Sequence, residues 1–243
     1  IVADSFEAAR EAAQKLTIRY DRQAPAGSFD DPGVQVEIKA EALPNMEDPR
    51  LGDAAAALAA APRMLDARYS SPTQHHNALE LYATTAVWQG DELTLFEASQ
   101  VPYAAKNVVA AQLGISPDKV RAVSPYVGGG FGAKAAVTPR TALVAAVARK
   151  LGRPVKLVLT REQCFTQSGY RQETRHHIRI GAEQDGRCTA YHHDSWELTA
   201  RRDPFGFGGV DSNAAMYRFP AVASVGRFVR ADRSAPIAMR APT

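Results

Sequence analysis

Between residues 128 and 132 the chain reads Gly128-Gly129-Gly130-Phe131-Gly132, followed by Ala133 and Lys134. Three consecutive glycines and a fourth permit positive φ angles and let bare backbone N–H groups come close to a neighbour. A β-rich stretch, Val120 to Tyr126, precedes this loop; a helical pattern runs from about Thr138 to Leu151, and a further strand pattern covers Val155 to Thr160. The order strand, glycine turn, helix, strand holds the loop at both ends. Spacing excludes two common phosphate loops. The nucleotide P-loop needs GxxxxGK followed by Ser or Thr, whereas Ala133 and Ala135 flank Lys134, and the glycines do not fall in the order GxGxxG. On the residues alone, the loop is either a tight structural turn or a cradle for an anion or cofactor.

The rest of the chain narrows the function classes. Its 243 residues, 45% hydrophobic, suffice for one large domain or two small ones. The net charge of +3 comes from 29 basic and 26 acidic residues spread along the sequence, without the clustering of a nucleic-acid footprint. No apolar run is long enough to span a membrane, and no signal-peptide pattern opens the chain. The compartment, cytoplasmic or periplasmic, is not readable. Cys164 and Cys188 are too few for an iron–sulfur cluster, lack CxxC spacing, and read as unpaired structural thiols. All six histidines stand in adjacent pairs, His75-His76, His176-His177 and His192-His193. Neighbouring side chains on a strand point to opposite faces, so these pairs read as structural rather than as metal ligands.

Local signals predict an α+β fold of mixed sheets and helices. Asp4 with Glu7 forms the pattern of a capping box for a first helix carrying Phe6, Ala9 and Ala13. Leu16 to Tyr20 alternates as a strand, and Asp21 to Gly33 reads as a linker. Val34 to Ile38 alternates again, and Asp53 caps an alanine-rich helix to Ala61. Leu81 to Trp88 and Leu93 to Ala98 form a hairpin about Gly90-Asp91, and a helix runs from Pro102 to Leu113 with Gly114 as its stop. A second hairpin begins near Arg175 and turns at Gln184-Asp185-Gly186; glycines at 206, 208 and 209 precede a last strand at Val222 to Val229. A helix already under way at residue 4 and an end without a cap lead to the expectation of an internal fragment.

Four strings carry a resemblance. Gly128-Gly129-Gly130-Phe131-Gly132-Ala133-Lys134 resembles the GGGFGGK loop of molybdenum hydroxylase large subunits. Tyr69 to Glu80 resembles that family's segment before its first hairpin, Glu97-Ala98-Ser99-Gln100 its Ser/Thr-Gln motif, and Met239-Arg240-Ala241-Pro242 its later MR(G/A/S) turn. By this resemblance the chain is identified as a fragment of the molybdopterin-binding large subunit of the xanthine dehydrogenase/aldehyde oxidase family. It implies that residues 1–33 end a preceding small α/β domain of hammerhead type, with its linker. Residues 34–243 are then the first molybdenum-cofactor-binding domain, incomplete at its C-terminus.

The resemblance also implies roles. Gln100 matches the glutamine that hydrogen-bonds an oxo ligand of the molybdenum, and Phe131 and Gly132 the loop residues beside the metal, with Phe131 close to substrate; Gly130 is counted with them as cofactor-binding. Arg240 matches an arginine facing the cofactor, and Arg171 falls near a substrate-site arginine. The bland readings are a helix-capping amide for Gln100, a packing anchor for Phe131 and a surface ion pair for Arg240. No protein side chain is expected to ligate the metal. The implied activity is oxidation of an aldehyde or N-heterocycle with oxygen from water, by a molybdenum-pterin cofactor in the molybdopterin or cytosine dinucleotide form. Iron–sulfur and FAD groups are expected on partner subunits or domains. The glutamate base is expected in the distal C-terminal part, so this stretch alone is expected to be inactive. Ala135 stands where xanthine oxidisers carry glutamate, which argues against purines, and Leu81 replaces a common proline. The alternative is a non-catalytic phosphate- or nucleotide-binding module built on the same loop.

Overall fold

A computed structural model describes residues 1–43, 46, 48–206 and 210–240. The first helix, α1 (Phe6–Lys15), is capped by Ser5 and not by Asp4: the Ser5 hydroxyl accepts the Ala8 N–H at 3.1 Å. Ser5 has the extended backbone that lets its short side chain reach the N–H of the third helical residue, while Asp4 pairs with Arg153 at 2.9 Å. The strand expected at Leu16 to Tyr20 is absent. Leu16, Ile18 and Tyr20 lie exposed in irregular chain, because alternation makes a strand only where a neighbouring ladder takes its N–H and C=O groups.

From there follow β1 (Gln35–Ile38), α2 (Lys39–Ala42), β2 (Arg50–Leu51), α3 (Ala54–Ala60) and β3 (Arg63–Ser71). The expected first hairpin is β4 (Ala83–Gln89) and β5 (Glu92–Glu97). Next come α4 (Pro102–Leu113), β6 (Val120–Val123), α5 (Pro139–Leu151), β7 (Val155–Val158) and α6 (Arg161–Thr166). The second hairpin, β8 (Thr174–Ala182) and β9 (Cys188–Ala200), is followed by α7 (Val210–Ala215) and β10 (Ala221–Ala231). Of the glycines expected before this last strand, Gly208 and Gly209 lie outside the described residues.

The strands form two mixed sheets. The smaller has the order β6-β5-β4-β7, with β5 and β6 parallel because α4 carries the chain back across the sheet. Leu93, Leu95 and Ala86 from its strands pack against Val109 and Ala110 of α4 and Val144, Ala145 and Ala148 of α5. The Trp88 indole N–H donates to Ala145 O at 2.8 Å, so this half-buried ring has its polar partner. Gly114 closes α4 at φ 66°, in the left-handed region that a side chain would strain.

The larger sheet has the order β1-β10-β9-β8-β3, with β2 also on β10. β9 and β10 run parallel from Ala190↔Ala221 to Ala200↔Ala231, a pairing no turn signal announces. β3, unread in the sequence, lies antiparallel to β8 from Arg63↔Ala182 to Ser71↔Thr174. Lys39 at the start of α2 reaches across to Glu197 of β9 at 2.7 Å, an ion pair buried at both ends. The Glu197 carboxylate also accepts the Gln172 amide at 2.9 Å, which supplies the further hydrogen bonding a buried charge needs.

Candidate functional site

The glycine loop leaves β6 and crosses to α5 between three other segments. Its backbone takes φ 94° at Gly129, 55° at Phe131 and 103° at Gly132. Phe131 is a non-glycine residue in the left-handed region, a conformation that persists only where surrounding contacts impose it. Those contacts come from residues 78–80, Gln100 and residues 237–240.

Gln100 lies just beyond β5 and before α4. Its Oε1 accepts the N–H groups of Gly132 at 3.0 Å and Lys134 at 3.2 Å, and its own N–H donates to Lys134 O at 2.9 Å. Because two N–H donors meet the same side-chain atom, that atom is the amide oxygen, and the NH2 group is left to donate elsewhere. Gly130 makes this approach possible: a Cβ there would sit 2.3 Å from Gln100 Oε1. The helix-capping role for Gln100 does not occur, since α4 has Val101 at its N-cap with no side-chain cap bond.

The segment 237–240 closes the other side. Ile237 N–H donates to Tyr170 O at 2.9 Å, and His76 Nε2 lies 2.8 Å from Ala238 O. Arg171 Nη2 donates to Met239 O at 3.0 Å, and Arg240 N–H donates to Phe131 O at 2.7 Å. A Cβ on Gly132 would meet Ala238 O at 2.3 Å, so this close approach requires glycine twice over, for space and for φ. The structure therefore brings Gln100, Gly130, Phe131, Gly132 and Arg240 together. Arg171 joins them through Met239. Ala241 and Pro242 of the fourth string lie outside the described residues.

The supporting residues were less legible in the sequence. Glu80 Oε2 accepts the Gly128 N–H at 2.8 Å and pairs with Lys134 Nζ at 2.5 Å, while Glu80 N–H donates to Gly128 O at 3.0 Å. Burial works to raise the Glu80 carboxyl, but the Lys134 ammonium and Gly128 N–H outweigh it and hold it below its ordinary value. Arg161 fastens the same segment by donating to Ala78 O at 2.8 Å and Leu79 O at 2.6 Å. Of the paired histidines, His76 supports Ala238, whereas His176 and His193 bond each other at 2.9 Å across β8 and β9. Burial lowers the pKa of His76 below its ordinary value. Cys164 and Cys188 are both free thiols.

Among the described residues, no hydrogen bond uses the N–H of Gly129, Gly130 or Phe131, nor the Gln100 NH2. This is a donor set without acceptors of its own, suited to oxo or phosphate oxygens. Residues 38–243 match the family model of the molybdopterin cofactor-binding domain. The chain belongs to that family.

Relatives of this molybdopterin-binding domain agree. The chain is 38% identical over 196 residues to the molybdenum-binding subunit of an aldehyde oxidoreductase from Escherichia coli, covering 81% of this chain and 26% of that protein. It is 30% identical over 200 residues to an indole-3-acetaldehyde oxidase of Zea mays, covering 80% of this chain and 15% of that one. The chain thus spans about a quarter or less of these relatives. Its fold is similar to quinoline 2-oxidoreductase from Pseudomonas putida, with a TM-score of 0.85 over 98% of this chain and 32% of that one at 21% identity. Aldehyde oxidoreductase from Desulfovibrio gigas superposes with a TM-score of 0.78 over 98% of this chain and 27% of that one at 22% identity. Nothing in these matches favours a free-standing nucleotide-binding module.

Proposed function

We propose that this chain supplies one wall of the active site in a molybdenum hydroxylase that oxidises an aldehyde or an N-heterocycle with oxygen from water. The observation that carries the reading is the set of unclaimed donors, Gln100 NH2 and the N–H groups of Gly129 to Phe131, on a loop whose glycines permit close approach. When bound, a molybdenum-pterin cofactor supplies the two-electron redox chemistry that no side chain here can perform. Gln100 would hold an oxygen of that group by a neutral hydrogen bond, adding no charge to the site. The exposed Phe131 ring borders the substrate space, Arg240 offers its guanidinium to an anionic oxygen of the pterin, and Arg171 steadies the turn before Arg240 through Met239 O. The general base and the other wall would come from the rest of the polypeptide, and iron–sulfur and FAD groups on partner subunits or domains would take up the electrons. Residues 1–33 belong to a preceding domain, and 34–243 form the cofactor-binding one.

The test uses the full-length, loaded enzyme with aldehydes in isotopically labelled water. Bound molybdenum and pterin together with label in the carboxylate product are expected. A metal-free active enzyme, or product without label, overturns the reading.

A further inference from the structure

We propose that Glu80 and Lys134 are positioning residues, a clamp across the two ends of the glycine loop that sets how its unclaimed N–H groups and the Gln100 amide face the cofactor. The proposal rests on the cofactor reading above.

Four observations carry it. Glu80 holds the start of the loop by both its carboxylate and its backbone, through Gly128 N–H at 2.8 Å and Gly128 O at 3.0 Å. The same carboxylate oxygen takes the Lys134 ammonium at 2.5 Å, at the other end of the loop. Lys134 is bound on its backbone too, since its N–H and C=O both meet Gln100, at 3.2 and 2.9 Å. Glu80 is itself preset, because Arg161 pins the carbonyls of Ala78 and Leu79 just before it.

The Lys134 side chain is 1% exposed while that of Glu80 is 37% exposed. An ammonium placed out of water costs free energy unless a carboxylate meets it, so the pair is a poor device for stability alone. Its geometry has another consequence. Gly128 and Lys134 are fixed to one carboxylate oxygen, which ties the two ends of the loop together on either side of the free N–H groups of Gly129, Gly130 and Phe131. A Cβ on Gly128 would lie 2.6 Å from Glu80 Cβ, so this approach too depends on glycine. Lysine here acts on the cofactor only through the loop, and it stands outside the donor set.

The experiment compares the full-length enzyme with Glu80→Gln, Lys134→Met and the double variant. Molybdenum and pterin content after gel filtration, melting temperature, and the molybdenum paramagnetic signal on partial reduction are measured for each. Glu80→Gln keeps an acceptor for Gly128 but leaves the ammonium unmatched, so the melting temperature falls and occupancy drops by roughly tenfold or more. The double variant removes both charges, and its melting temperature recovers. If the pair positions the loop, the recovered double variant still holds roughly tenfold less cofactor and shows an altered signal. A double variant with wild-type occupancy and an unchanged signal overturns the clamp and leaves a structural ion pair. A wild-type enzyme without molybdenum overturns the cofactor reading itself, which separates the two failures.

Discussion

In the proposed site Gln100 has two jobs, one for each end of its amide. The oxygen ties down Gly132 and Lys134, while the NH2 group faces away from those bonds. Alanine at this position removes both functions, so the informative change is Gln100→Glu. A carboxylate still accepts the two loop N–H groups but cannot donate. Gln100→Glu is expected to keep molybdenum content while slowing reduction of the enzyme by substrate roughly tenfold or more, the worth of one hydrogen bond that strengthens in the transition state. Rapid-reaction kinetics beside metal analysis checks this; an unchanged reductive rate removes Gln100 from the site. Gly132→Val addresses the opposite wall. The backbone there sits at φ 103° with Ala238 O in the space of a Cβ, so the variant must strain the loop or expel residues 237–240. Such strained positions cost about 1–3 kcal/mol. Both the melting temperature and cofactor occupancy should fall, and a fully loaded variant of wild-type stability would show the approach to be dispensable.

Among the elements, α3 shows how little a short helix can rest on its own propensity. It has seven residues, fewer than an isolated helix needs in water, and is held by packing of Ala54 and Leu58 on Ala190 and Ala221. Its N-terminus depends on Asp53, whose side chain accepts the Ala56 N–H at 2.9 Å. Asp53→Ala should therefore lower unfolding stability by about 1 kcal/mol, with Asp53→Asn close to neutral. Denaturant titration of the two variants decides; equal losses would locate the effect in charge and not in the cap. The cap at Asp53 and the stop at Gly114 were legible because each is written in a few consecutive residues. β3 was not, since Arg63 to Ser71 mixes exposed polar and apolar residues without alternation and becomes a strand only through its ladder with β8.

Across the molecule, the large sheet carries a buried polar line that gives it a pH dependence. Tyr191 hydroxyl and His193 Nδ1 lie 3.0 Å apart, His193 bonds His176, and His176 Nε2 meets Thr174 Oγ1 at 2.8 Å. His193 is 1% exposed, and burial first, then neighbouring His176, lowers its pKa from 6.5 to about 4. Asp194 opposes that shift, while His192 and Lys39 add to it. With the folded value below the unfolded one, the unfolded chain takes the proton first as the pH drops. The contribution of His193 to stability is expected to be full above pH 6.5 and lost progressively down to about 4, by up to about 3 kcal/mol. His193→Gln should flatten that part of the stability curve measured by denaturant titration; an unchanged slope would assign it to other groups. By itself the sequence determined what neighbouring residues encode: the glycine loop, the hairpin turns, the cap at Asp53 and the stop at Gly114, and the four strings that mark the family. The tertiary structure decided the parallel pairing of β9 with β10 and the meeting of Glu80 with Lys134, 54 residues apart. It also decided the docking of Arg240 against Phe131. Such contacts depend on which surfaces are buried together, and no local run of residues carries that information.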